Sequence, residues 1–211
     1  HELNLMLRFP DHRRGWVRGR AVLTGVLDVG TRYLGGFDVR RSENWEGILA
    51  GVKMFCREVG VPRVFYLDNG SAYGAALGSH FRGRVQALCD ALGAQLLNAL
   101  PHAPWSKIIE SFWRRTIDNF ERYFWCFWGT AKVDRPPDAQ TLTRARLAEL
   151  PTLDEVRELY RCWLAEYHSL PHGGTGMDGL SPQARLDQAS NAPRRRIDEA
   201  TLSLLCSRLV G

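Results

Sequence analysis

The chain has 211 residues, 45% hydrophobic and 10% aromatic, which suits one ordinary domain with a small appendage and excludes wholesale disorder. Its net charge of +5 comes almost wholly from arginine, whose guanidinium matches phosphate oxygens bidentately, so an anionic partner such as nucleic acid fits the composition. Five scattered cysteines with no Cys-x-x-Cys pair exclude a zinc ribbon or redox couple and suit a reducing compartment; with no leader or long apolar span, the expectation is a soluble cytoplasmic protein without a membrane partner.

Leu3, Leu5 and Leu7 alternate with Glu2, Asn4 and Met6, the period of a half-buried strand. Pro10 to Gly19 reads as a polar, arginine-rich turn. Val22 to Val29 and Tyr33 to Val39 are two strands joined tightly enough to be antiparallel neighbours. Trp45, Ile48, Leu49, Val52, Phe55, Cys56 and Val59 then recur every three or four residues, an amphipathic helix that Ser42 can cap and Gly60 ends. Val64 to Leu67 is a short apolar run stopped by Asp68-Asn69-Gly70, the pattern of a buried strand ending in a turn.

A helix from about His80 to Leu92 buries Phe81, Val85, Leu88 and Leu92, and Ala94 to Ala99 makes another short strand. Strands, helix, strand, helix, strand is an α/β order with a mixed sheet. Ser106 can cap a long helix reaching about Phe127, in which Arg114, Arg115 and Arg122 are interleaved with apolar residues. Gly129 to about Pro151 reads as an irregular insertion. Thr152-x-x-Glu155 is a capping box opening a further helix, and Ser181-Pro182 places proline at the first position of another. Arg194-Arg195-Arg196 marks a linker.

Asp68 at a strand end and Glu110 in the first turn of a helix are the pair that can carry chemistry. Open α/β sheets place ligand sites at strand ends, and divalent magnesium takes hard oxygen donors from separate elements. Plain turn chemistry at Asp68 and a favourable dipole contact at Glu110 are the structural alternatives. Lys107, Arg114 and Arg115 can meet phosphates or face solvent, and Trp105 is the tryptophan best placed to stack on a base.

Leu67-Asp68-Asn69-Gly70, followed by Pro104-Trp105-Ser106-Lys107-Ile108-Ile109-Glu110-Ser111-Phe112, resembles the second and third acidic motifs of DDE transposases and retroviral-type integrases. Leu27-Asp28-Val29-Gly30 is similar to the second strand and turn of that family. Tyr167-His168-Ser169-Leu170-Pro171-His172-Gly173 with Gly179-Leu180-Ser181-Pro182 is similar to its closing segment, and the interrupted insertion points to the phage Mu transposase branch. The resemblance covers about residues 1–190. It implies a ribonuclease H-like fold, a mixed five-stranded sheet flanked by helices with a helical C-terminal extension. It further implies two magnesium (or manganese) ions held by Asp68 and Glu110, DNA hydrolysis and strand transfer, a homo-multimer on transposon ends and target DNA, and a bacterial, nucleoid-associated setting.

On this reading residues 1–128 are the catalytic core, 129–190 the insertion and closing helices, and 191–211 a basic linker towards a truncated C-terminal domain. One departure stands out. The family's first carboxylate has no clear counterpart; it is expected just upstream of His1, in a longer chain, with Glu2 or Asp28 as weaker substitutes and an inactive fragment as the consequence. A nuclease that only hydrolyses, or an inactive DNA-binding relative, are the other readings. Gly174-x-Gly176-x-x-Gly179 follows a helix rather than a strand and so lacks the context of a dinucleotide site. Leu170-Pro171 between His168 and His172 prevents a helical metal pair.

Overall fold

A computed structural model describes the backbone of residues 1–67, 78–98, 106–189 and 194–208, and their side chains except at 78–82, 98, 106, 107 and 208. The fold is mixed α/β. In chain order it comprises β1 (Leu7–Asp11), β2 (Gly15–Gly19), β3 (Val22–Leu27), β4 (Leu34–Arg40), α1 (Trp45–Glu58), β5 (Val64–Leu67), α2 (Gly78–Leu92), β6 (Gln95–Asn98), α3 (Ser106–Asn119), α4 (Ala139–Ala145), α5 (Leu153–Ser169), α6 (Pro182–Ala189) and α7 (Glu199–Arg208). Among the described residues the strands form three two-stranded ladders, β1–β2 and β3–β4 antiparallel and β5–β6 parallel, rather than one continuous five-stranded sheet. An isolated bridge from Glu2 to Val22 links the chain ahead of β1 to β3.

The expected turn at Pro10 to Gly19 is instead most of a β-hairpin. Phe9 pairs with Val17, and Asp11 shapes the reversal by accepting the Arg13 and Arg14 backbone N–H groups on Oδ1. Charge hid the strand: Arg8 and Arg18 on the outward face, Pro10 beside them and the arginines of the tip read as loop. The Leu3–Leu7 stretch is buried on both faces, because Asn4 is enclosed and satisfied, its Oδ1 accepting from Arg20 and its carbonyl from the Trp128 N–H.

β3–β4 carries α1 on one face. The approach is close at Gly36, where a Cβ would lie 1.9 Å from the Gly51 carbonyl oxygen, so only glycine fits there. Asn44 rather than Ser42 caps α1, its Oδ1 accepting the Gly47 N–H at 2.9 Å. The principal core joins Leu3, Leu5, Leu7, Phe9, Leu23, Phe37 and Val39 to Phe112, Phe120, Tyr160 and Leu164. The Thr152–Glu155 capping box is formed and starts α5, whose buried face enters this core.

A second cluster unites Ile48, Leu49, Val52 and Cys56 of α1 with Val85, Leu88 and Leu92 of α2 and with Leu202 and Cys206 of α7. The arginine run read as a linker is a clamp. Arg194 donates to the Val59 carbonyl, Arg195 to those of Leu92 and Gly93, and Arg196 to that of Arg57, satisfying the last carbonyls of α1 and α2.

The helix expected to reach Phe127 stops at Asn119. There the chain turns Phe120 and Glu121 inward, and a short 3-10 turn follows at Glu121–Tyr123. The insertion is likewise more ordered than its sequence suggests, since it contains α4 and two further 3-10 turns, Lys132–Asp134 and Leu147–Glu149.

Candidate active-site cleft

A cleft of about 1610 Å³ opens between β3 and β5. Residues Leu23 to Val29 line one side and Val61 to Leu67 the other. Ile48, Val52 and Phe55 of α1 also line it, as do Ile108, Ile109 and Trp113 of α3. Most of these are apolar, so the cleft combines hydrocarbon walls with a few polar groups, the usual make-up of a binding site. β5 was expected to be a buried strand. It is only half-covered, with Val64 41% exposed, because β6 is its one ladder partner among the described residues.

Asp68 lies outside the described residues, as does Trp105. In sequence Asp68 follows Leu67, a cleft-lining residue at the end of β5. Glu110 follows Ile109, also in the lining, and is exposed. Because α3 begins at Ser106, Glu110 falls in the second turn rather than the first. The helix dipole acts mainly within the first turn, so a dipole contact is a weaker explanation for this carboxylate than the sequence suggested. Glu110 makes no hydrogen bond or ion pair among the described residues.

Positions 107 and 114 fall three before and four after Glu110, on the same helix face. The Lys107 side chain is not among those described. Arg114 is exposed and makes no ion pair with any described residue, whereas Arg115 donates to Nδ1 of His172 and is tied to the loop after α5.

Glu2 and Asp28 both line the cleft, and both have structural work. The Glu2 carboxylate pairs with Arg20 at 2.9 Å. Asp28 accepts the Gly30 N–H on Oδ1 at 3.0 Å and the Arg32 N–H on its carbonyl, which builds the β3–β4 turn. Glu43 also lines the cleft, its carboxyl pushed above the usual range by burial. Among the described residues no group of three His, Cys, Asp or Glu side chains is arranged to hold a metal. The pair Asp68 and Glu110 fits divalent magnesium in donor chemistry, both being carboxylates.

No protein-family model matches the chain, and no curated protein matches it.

The Tyr167–His172 segment forms a joint. His168 Nε2 accepts the Leu34 N–H at 3.2 Å and its ring stacks on Tyr33 at 3.8 Å. A nitrogen that accepts carries no proton, so the ring is neutral, and burial together with neighbouring His172 pushes its pKa down to about 4. The Tyr167 hydroxyl donates to the Arg32 carbonyl, completing the tie between α5 and the start of β4. The glycine triplet that follows is a run of turns, with Gly176 and Gly179 at φ +81° and +73°.

One buried carboxylate had no sequence signal. Glu121 is fully buried, accepting the Asn4 N–H at 2.8 Å and facing His1 Nε2 at 2.6 Å, while the His1 ring stacks on Trp113 of the cleft. Read as one more turn of an amphipathic helix, position 121 looked like any exposed glutamate. Three cysteines are poor nucleophiles: Cys56, Cys89 and Cys126 are buried, and burial pushes their thiols up to about 11.

Proposed function

We propose that the chain is the catalytic core of a DNA transposase or integrase, its three ladders being parts of one ribonuclease H-like sheet. The observation that carries the reading is that Leu67 and Ile109, which immediately precede Asp68 and Glu110, line the same cleft although 41 residues separate the two acids. Cation-assisted phosphodiester chemistry requires carboxylates from separate elements at one pocket, and cleft-lining residues directly before both acids support that reading.

In this reading Asp68 and Glu110 hold two magnesium or manganese ions, which when bound supply Lewis acidity at the scissile phosphate. Lys107 and Arg114 orient phosphate oxygens, and Trp105 stacks on an unpaired base at the element end. Arg115 acts at one remove, holding His172 and so the loop beside the helix. Water attacks the phosphorus in line, the 3′ oxygen leaves with a proton, and the freed 3′ hydroxyl repeats the displacement on target DNA. The polypeptide forms no covalent bond to the DNA. Two or more copies assemble on paired DNA ends, in the cytoplasm of the host.

The test is a strand-transfer assay with a labelled, pre-cleaved DNA end, a target duplex and Mg²⁺. Joined product is expected from the longer chain that carries the family's first carboxylate, and in it Asp68→Asn or Glu110→Gln should each lower the yield at least about a hundredfold, the upper end of what losing an outer-sphere partner of a metal costs. Equal product from parent and both variants would remove these carboxylates from the site. Cleavage without any joined product would identify a nuclease instead.

A further inference from the structure

The described arginines fall into two populations. Arg40, Arg57, Arg146, Arg157 and Arg161 each lie against a carboxylate. Arg13, Arg14, Arg18, Arg41 and Arg144 have none within ion-pair reach among the described residues. These five, among the described arginines without a carboxylate partner, lie on or beside the β1–β2 hairpin, which does not line the cleft. In the hairpin register Arg8 sits directly opposite Arg18, and Pro10 opposite Trp16, so all four share one face. Like charges paired across a ladder repel, which raises the positive field on this face.

Two other features bear on the same surface. Arg18 also lies close enough to Arg144 of α4 for the two charges to repel, and Arg41 approaches the hairpin from its other face, over the Phe9 ring. At the tip, His12, Arg13 and Arg14 are exposed, and Trp16 is 41% exposed beneath the Arg8 guanidinium, 4.8 Å from its ring centroid. The acid facing the group, Asp11, is engaged by backbone N–H groups of the turn. Part of the charge is structural, since Arg8 donates to the Ala148 carbonyl and Arg18 to that of Gln140, docking the insertion on the hairpin. The tip arginines differ, because Arg13 and Arg14 contribute only their backbone N–H groups to the turn.

We propose that the β1–β2 hairpin is a second nucleic-acid contact, a basic ridge that grips the phosphodiester backbone of a DNA duplex with Arg13 and Arg14 at its crest. The ridge goes beyond the cleft chemistry and is independent of Asp68 and Glu110. Its contacts are to phosphate, so they add affinity without sequence preference and weaken steeply with salt.

The test measures binding of the full chain to a fluorescent random-sequence duplex of about 30 base pairs by anisotropy, in EDTA, across roughly 50 to 200 mM NaCl. Arg13→Ala/Arg14→Ala should weaken binding about tenfold and lower the slope of log affinity against log salt by about two, one for each phosphate no longer neutralised. The control Arg161→Ala/Arg185→Ala removes the same charge from α5 and α6, and should shift affinity by less than roughly threefold because both arginines are ion-paired. Equal losses in the hairpin and control variants, no loss in the hairpin variant, or no duplex binding by the parent would each overturn the ridge. So would binding to phosphatidylserine vesicles with none to the duplex. Because no metal is present, each of these results leaves strand transfer to be judged by its own assay.

Discussion

The two sides of the cleft are built to different standards. On the β1–β4 side, strands pack between α1 and the α3–α5 aromatics. Tyr160 is fully buried there, with its ring at 5.0 Å from Phe37 and 5.2 Å from Phe120, and its hydroxyl faces Thr116. On the β5–β6 side two four-residue strands pair only with each other among the described residues, and Leu97 is half exposed. Buried area differs accordingly, and so does the hydrophobic stabilisation that scales with it. The contrast teaches where rigidity is located. One wall of the cleft is anchored in the main core, and the β5–β6 wall is more thinly covered.

Substitutions and acid can break this contrast. Tyr160→Ala should have the largest effect, about 3 to 5 kcal/mol lost in urea unfolding, since it opens a cavity among packed rings. A loss under about 1 kcal/mol would mean the two sides are equally loose. Acid comes next. The unfolded imidazole of His168 titrates near 6.5 and the folded one at about 4, so both states are neutral above pH 6.5 and stability there is complete. As pH falls from 6.5 towards 4, the unfolded chain takes up a proton that the folded chain refuses, and about 3 kcal/mol is lost. His172, also depressed by burial, moves in the same direction. Unfolding curves at pH 7 and pH 4.5 check this, and His168→Gln should flatten the difference. Val64→Ser on the opposite wall should change stability by no more than about 0.5 kcal/mol. A cost of about 2 kcal/mol or more would show that Val64 is covered in solution and the cleft closed.

Much of this was legible where a local rule acts alone. The Thr152–Glu155 box, the proline that opens α6, the β3–β4 pair and the periodic face of α1 depend on neighbours within a few residues, and each is where the sequence puts it. The misreadings share a cause. Arg8, Arg18 and the run Arg194–Arg196 look like solvent or linker charge, yet they serve carbonyl groups more than a hundred residues away in sequence. Glu121 looks like a surface acid, and its burial depends on the Asn4 backbone N–H arriving from 117 residues away.

For the candidate site, the sequence by itself determined which groups are on offer: a carboxylate after an apolar strand, another on a helix, and basic and aromatic residues near them in the chain. Only the tertiary structure decided which of those charges remain available. Local propensity acts over one or two turns, whereas the partner that occupies Asp28, Glu2 or Arg115, and leaves Glu110 and Arg114 without an ion pair among the described residues, is chosen by the packing of distant segments.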